Sequence, residues 1–119
     1  MTRSAHLALP ANHRQQVLTI LAANLPRDAT VWVFGSRATG RARRYSDLDL
    51  AIDAGRPLTL DELARLAEAY SESELPYRVD IVDWQSIDDR FRQMIAAERI
   101  QLDGMVPAAS PADPGASSS

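Results

Sequence analysis

Residues 35–50 read G-S-R-A-T-G-R-A-R-R-Y-S-D-L-D-L, a small-residue turn followed at fixed distance by two aspartates one residue apart. Side chains alternate between the faces of a strand, so Asp47 and Asp49 share one face while Leu48 and Leu50 point into a core. Two carboxylates side by side repel, and packing gives no reason to keep them together; an intervening cation or proton does. Mg²⁺ is the natural cation, a hard ion that takes carboxylate, water and phosphate oxygens. An Asp-x-Asp alone, or a Gly-Ser alone, is common, and either aspartate taken singly reads equally well as a solvated strand end. The four residues together at these offsets arise by chance in roughly one chain in a thousand of this length.

Working outward, residues 31–34 form a short β-rich run that ends at Gly35, and residues 47–52 re-enter a strand with Leu48, Leu50 and Ile52 buried. Upstream, Val17, Leu18, Leu21, Ala22 and Leu25 have the spacing of one helical face, which predicts a helix over residues 10–25 broken by Pro26. Downstream, Thr59 and Glu62 have capping-box spacing, ahead of a helix with Leu63, Leu66, Ala67 and Tyr70 inward. Residues 78–82 predict a third strand with Val79 and Ile81 on one face and Asp80 with Val82 on the other, so Asp80 can join the first two aspartates. Asp83 competes for that role if the strand bulges. Ser86 is the expected cap of a last helix reaching about Arg99, with Ile87, Phe91, Met94 and Ile95 as its stripe. This gives one domain over residues 1–104. Residues 105–119, nearly all Ala, Ser, Pro and Gly, are expected to be a disordered tail.

Composition narrows the chemistry. All 13 basic residues are Arg and there is no Cys, which excludes lysine Schiff bases, thiolate catalysis, cysteine zinc sites and disulfides. The run G-S-R-A-T-G-R-A approaches a P-loop, but Arg41 stands where its Lys belongs and Ala42 where its hydroxyl belongs. The net charge of −3 is uneven: residues 1–60 carry eight Arg against four acids, and the remainder five against twelve. One basic loop, Arg37, Arg41, Arg43 and Arg44, in an acidic chain suits a compact anionic ligand better than an extended nucleic-acid surface. No apolar run is long enough to span a membrane and the start lacks a secretory pattern, so the cytoplasm is the expected location. His6 and His13 lack partners at metal spacing, and Trp32 and Trp84 read as strand packing.

The motif in residues 35–50, followed by the later V-D-I-V of residues 79–82, closely resembles the DNA polymerase β-like nucleotidyltransferase superfamily. Within it the chain resembles the minimal nucleotidyltransferases that act as antitoxins in HEPN/MNT toxin–antitoxin pairs. The resemblance implies an α+β half-sandwich, a small mixed sheet with helices on one face and carboxylates on the other. It implies transfer of a nucleotide, usually AMP from ATP, to an acceptor hydroxyl. Carried over by position, Gly35 lets the backbone approach the triphosphate and Ser36 hydrogen-bonds its outer phosphates. Asp47 and Asp49 hold two Mg²⁺ ions, and Asp80 binds the catalytic metal or draws the proton from the attacking hydroxyl. Arg37 and Arg44 are candidates to neutralise phosphate oxygens, with an exposed loop as the alternative.

Two metals about 4 Å apart can stabilise the attacking and the leaving oxygen of an in-line displacement, so the physical logic agrees with those roles. The leading expectation is adenylylation of a partner HEPN toxin. A non-catalytic antitoxin that neutralises its partner by complex formation is the alternative of another class. A small-molecule adenylyltransferase like those that modify aminoglycosides is a third, but such enzymes carry an extra helical domain. A small open core needs another chain to hold its acceptor, so a partner is expected, and self-association is open.

Overall fold

The computed structural model describes residues 7–102, and their order is α1 (Ala11–Asn24), β1 (Thr30–Phe34), α2 (Ser36–Thr39), β2 (Leu48–Asp53), α3 (Leu60–Ser71), β3 (Val79–Asp83), a 3₁₀ turn (Trp84–Ser86), α4 (Asp89–Glu98) and β4 (Ile100–Gln101). The expected tail and His6 lie outside the described residues. No described helix is long and apolar enough to cross a membrane.

The four strands form one mixed sheet in the order β3-β2-β1-β4. β1 and β2 are antiparallel, as are β1 and β4, whereas β2 and β3 run parallel. A parallel pair requires a crossover connection, and α3 supplies it. The local chemistry explains each boundary. Leu25, which precedes Pro26, is extended at φ −125° and ψ 156°, because a proline disfavours helical geometry in the residue before it and so ends α1. At the start of α3 the capping box is complete: Thr59 Oγ1 accepts from Glu62 N–H, and the Glu62 carboxylate accepts from Thr59 N–H.

Strand alternation then divides the core. Val31, Val33, Leu48, Leu50 and Ile52 join Val17 and Leu21 of α1 and Leu66 and Tyr70 of α3 in the main cluster, with Val79 and Ile81 packed against it. The Tyr70 hydroxyl ties the two helices by donating to Val17 O at 3.0 Å. This is the expected half-sandwich, and α4 adds to it. Trp32 and Phe34 project from the opposite face of β1, too much apolar surface to leave in water. Ile95 and Phe91 of α4 cover them, and Ala51 and Val82 flank them on the same sheet face.

Four expectations fail locally, the exposed Ala22 of α1 among them. Ser86 does not cap α4; it belongs to the 3₁₀ turn, and Asp88 caps the helix by accepting from Phe91 N–H at 2.8 Å. Asp and Ser are equivalent as caps, and two candidates three positions or fewer apart are not separated by sequence pattern. Ala67 is exposed although it has helical spacing, and Met94, placed on the apolar stripe, is 45% exposed.

Candidate active site

β2 and β3 carry the acidic residues to one end of the sheet. Asp49 and Asp80 are register partners across the parallel pair, and on its other side Asp49 faces Phe34 of β1. Asp47 lies just ahead of β2; Leu48 N–H donates to Arg78 O at 2.9 Å and fixes that approach. The environment acts on Asp49. Burial, then Asp80, Asp47 and Glu98 in decreasing effect, push its pKa up to about 6, and Arg78 opposes this only weakly. A carboxylate that keeps its proton this far up marks a cluster with too little positive charge beside it.

Arg78 is the one cation that reaches the cluster among the described ion pairs. Its guanidinium stands 3.5 Å from Asp47 and 3.3 Å from Asp80, with its side chain 74% exposed. Both pairs are long and solvated, so they are weak.

The turn above the carboxylates is built around Gly35. Its φ of 77° and ψ of −155° belong to a region essentially restricted to glycine, and a Cβ at this position would collide with Asp49 Oδ2. The backbone conformation requires glycine, and any larger residue would push the Asp49 carboxylate aside. Gly35 N–H donates to the Glu98 carboxylate at 2.5 Å. The Ser36 hydroxyl has no hydrogen-bond partner among the described residues, which leaves it available to a ligand.

The arginines divide. Arg37 is buried at 4% exposure, with Nε donating to Ser46 O, Nη1 to Ala8 O, and Nη2 to both Arg44 O and Ser46 O. Its guanidinium also stacks on Tyr77, 3.9 Å from the ring centroid, and the Tyr77 hydroxyl contacts His13 Nδ1 at 2.9 Å. Four of its five N–H groups are thus committed, and Arg37 clamps the basic loop instead of facing a phosphate. Arg44 is exposed beside Tyr45, 5.7 Å from that ring's centroid. A hollow of about 730 Å³ lies against this loop, lined by residues including His13, Arg37, Arg43 and Tyr77, and none of the three aspartates borders it. A second, of about 470 Å³, is bordered by Tyr77, Arg78 and Asp80.

Asp83, the rival third carboxylate, is buried and fully occupied: it accepts from Leu58 N–H, Gln85 N–H and Ser86 Oγ. Sequence reasoning missed Arg78 and Glu98. Arg78 was recoverable, because it sits two positions from Asp80 and so on the same strand face. Glu98 carried no signal.

Among the described residues no three His, Cys, Asp or Glu side chains converge closely enough to hold a metal on protein donors alone. The donor set is nevertheless suited to a hard divalent cation. Mg²⁺ is held through one or two carboxylates completed by water and substrate phosphate, and Asp49 and Asp80 supply an all-oxygen pair short of positive charge.

A sheet of this topology, with paired aspartates under a Gly-Ser turn, defines a nucleotidyltransferase. The chain belongs to the polymerase β nucleotidyltransferase family, whose model matches residues 15–103. It is 48% identical over 95 residues to the probable protein adenylyltransferase MntA of Haemophilus influenzae, covering 80% of this chain and 82% of that protein. Its fold is similar to that of a crystallised toxin–antitoxin with AMP-PNP, at TM-score 0.65 and 29% identity over 76% of this chain and 72% of the other. It is also similar to the MNT antitoxin in complex with the tri-AMPylated HEPN toxin of Shewanella oneidensis, at TM-score 0.58 and 26% identity over 76% and 68%.

Proposed function

We propose that this protein is an adenylyltransferase that moves AMP from ATP to a hydroxyl of a partner HEPN toxin, in the cytoplasm where ATP is supplied. The observation that carries the reading is the Asp49–Asp80 register pair directly beneath a turn whose glycine lies against the Asp49 carboxylate. The 48% identity to a protein named as a probable protein adenylyltransferase supports the acceptor class.

In this reading the acceptor oxygen attacks the α-phosphorus in line, the bond to the bridging oxygen breaks, and pyrophosphate leaves. Gly35 lets the backbone approach the triphosphate, and the Ser36 hydroxyl donates to its outer phosphates. Asp47 and Asp49 are the residues assigned to two Mg²⁺ ions, and Asp80 to the metal beside the attacking hydroxyl or to that hydroxyl's proton. Divalent ions bound there supply charge neutralisation at the attacking and leaving oxygens. Asp49 must give up its proton before it can serve, so proton and metal compete for it and metal binding weakens as pH falls through its metal-free pKa of about 6. Of the two arginines offered for the phosphates, Arg37 is buried and Arg44, exposed on the basic loop, is the one left to meet them.

One observation favours a second reading. Arg78 bridges Asp47 and Asp80, as an antitoxin that acts only by binding would tolerate permanently. Incubation of the protein with labelled ATP, Mg²⁺ and the HEPN partner, beside Asp49→Asn, separates the two. Label on the partner with wild type and none with the variant supports transfer. A tight complex without label from either favours the binding module.

A further inference from the structure

We infer that Glu98, the last residue of α4, is a positioning residue for the nucleotide turn: its carboxylate holds the Gly35 N–H and so sets that glycine against Asp49. The inference rests on the proposed nucleotidyl transfer only for its kinetic consequence, since the contact itself is structural.

Three features deliver Glu98 to this place. The antiparallel β1–β4 register pairs Trp32 with Gln101 and Val33 with Ile100. Continued by two residues along each chain, that register sets Glu98 opposite Gly35, where the hydrogen bond is found. On the helical side, Phe91 packs edge-on against Phe34 with ring centroids 6.1 Å apart, docking α4 on the strand that leads into the turn. Next to Glu98, the Arg99 guanidinium lies 4.2 Å from the Trp32 ring and 5.1 Å from that of Trp84, fixing the chain beyond the helix. The backbone that carries the carboxylate is therefore docked on both sides of Glu98.

The placement is otherwise unfavourable. Glu98 is a fourth acidic group near three aspartates and adds to the repulsion on Asp49. Like charges are not gathered without a return, and here the return is a charge-assisted bond to a backbone N–H that β2 does not reach: the β1–β2 ladder ends at Phe34 and Asp49. The Gly35 carbonyl is tied into α2 by Ala38 N–H, Thr39 N–H and the Thr39 hydroxyl, so the freedom that returns without Glu98 is that of the Phe34–Gly35 peptide, where the chain meets Asp49.

The test compares Glu98→Ala with Glu98→Gln in the full chain, the latter keeping an acceptor while removing the charge. Two readouts are taken: the KM for ATP against kcat in transfer to the HEPN partner, and hydrogen exchange at the Gly35 amide by NMR without nucleotide. The expected result is an ATP KM raised about tenfold by Glu98→Ala with kcat changed far less, and Gly35 exchange accelerated by a similar factor. Glu98→Gln should restore both to within about threefold of wild type. The inference is overturned if Glu98→Ala leaves Gly35 exchange and KM unchanged, or if it tightens ATP binding, which would make Glu98 an occupant of the phosphate position. It is also overturned if Glu98→Gln keeps the Gly35 amide protected yet raises KM as much as Glu98→Ala, which would make the charge, and not the hold on Gly35, the essential feature. Absence of transfer by wild type would count against the proposed activity alone, while the exchange measurement would still decide the role of Glu98.

Discussion

The two ends of the β2–β3 pair carry the same residue type in opposite states. At the end where both strands finish, Asp83 accepts from Leu58 N–H, Gln85 N–H and Ser86 Oγ, and Asp53 accepts from Gly55 N–H and Gln85 Nε2. At the end where they begin, Asp47 and Asp80 receive, among the described residues, only the long contacts of one exposed arginine, and Asp49 receives none. A carboxylate surrounded by short donors is part of the structure, because its charge is already stabilised by the fold. A group of carboxylates left repelling one another, with one of them driven to hold its proton, is stabilised only by something that arrives. The difference lies in the donors and not in the aspartates.

The comparison breaks most decisively by substitution at each end. Asp49→Asn should reduce AMP transfer by about a thousandfold or more, since it removes a ligand of the transition-state charge, while the folded state is retained. Asp83→Ala should do the reverse. It leaves the Leu58 N–H unpaired in a buried position and should cost about 2–4 kcal/mol in urea unfolding, with the activity per folded molecule close to wild type.

Arg37 sharpens the same contrast within the basic loop. Arg37→Ala should lower stability by about 2–4 kcal/mol, because the carbonyls of Ala8, Arg44 and Ser46 lose their donor together. Arg44→Ala should change stability by less than about 0.5 kcal/mol, and whatever it costs should fall on the KM for ATP. Equal destabilisation by the two variants would contradict the clamp.

The pH dependence follows from Asp49. Its folded pKa of about 6 lies above the ordinary 3.8, so between these values the folded state holds a proton that the unfolded chain has lost. This group's contribution therefore makes the metal-free protein less stable as pH rises from about 4 to 6, by about 1–2 kcal/mol after allowance for partial solvent access. Urea unfolding at pH 4 and pH 7 brackets that window, and Asp49→Asn should flatten the slope. The smallest effect expected is at Arg78. Arg78→Ala should leave stability within about 0.5 kcal/mol of wild type and tighten Mg²⁺ binding a few-fold by removing a competing cation, readable by isothermal titration.

Sequence carried the fold wherever alternation or a cap was at work. β1, β2, β3 and the α3 capping box follow from period-2 burial and from Thr59 and Glu62, because those features are local. β4 does not: two residues of edge strand have no period, and Ile100 and Gln101 pair only because α4 returns the chain to β1. At the site, the Gly35 turn and the alignment of Asp49 with Asp80 were legible, since both depend on strand parity. Arg37 was not. Its position among the basic residues suggested phosphate, and only the tertiary structure brings Tyr77 and the Ala8 carbonyl to it. Glu98 was invisible for the same reason, being delivered by a register between residues 63 positions apart.

In the proposed reading a bound metal–nucleotide completes the carboxylate end of β2 and β3. Thermal unfolding with and without Mg²⁺ plus a non-hydrolysable ATP analogue tests it most directly. At ligand near 100 times its Kd, wild type should gain about 2.7 kcal/mol and melt several degrees higher, while Asp49→Asn gains little. An equal rise in both proteins, or none in wild type at saturating ligand, would contradict the account.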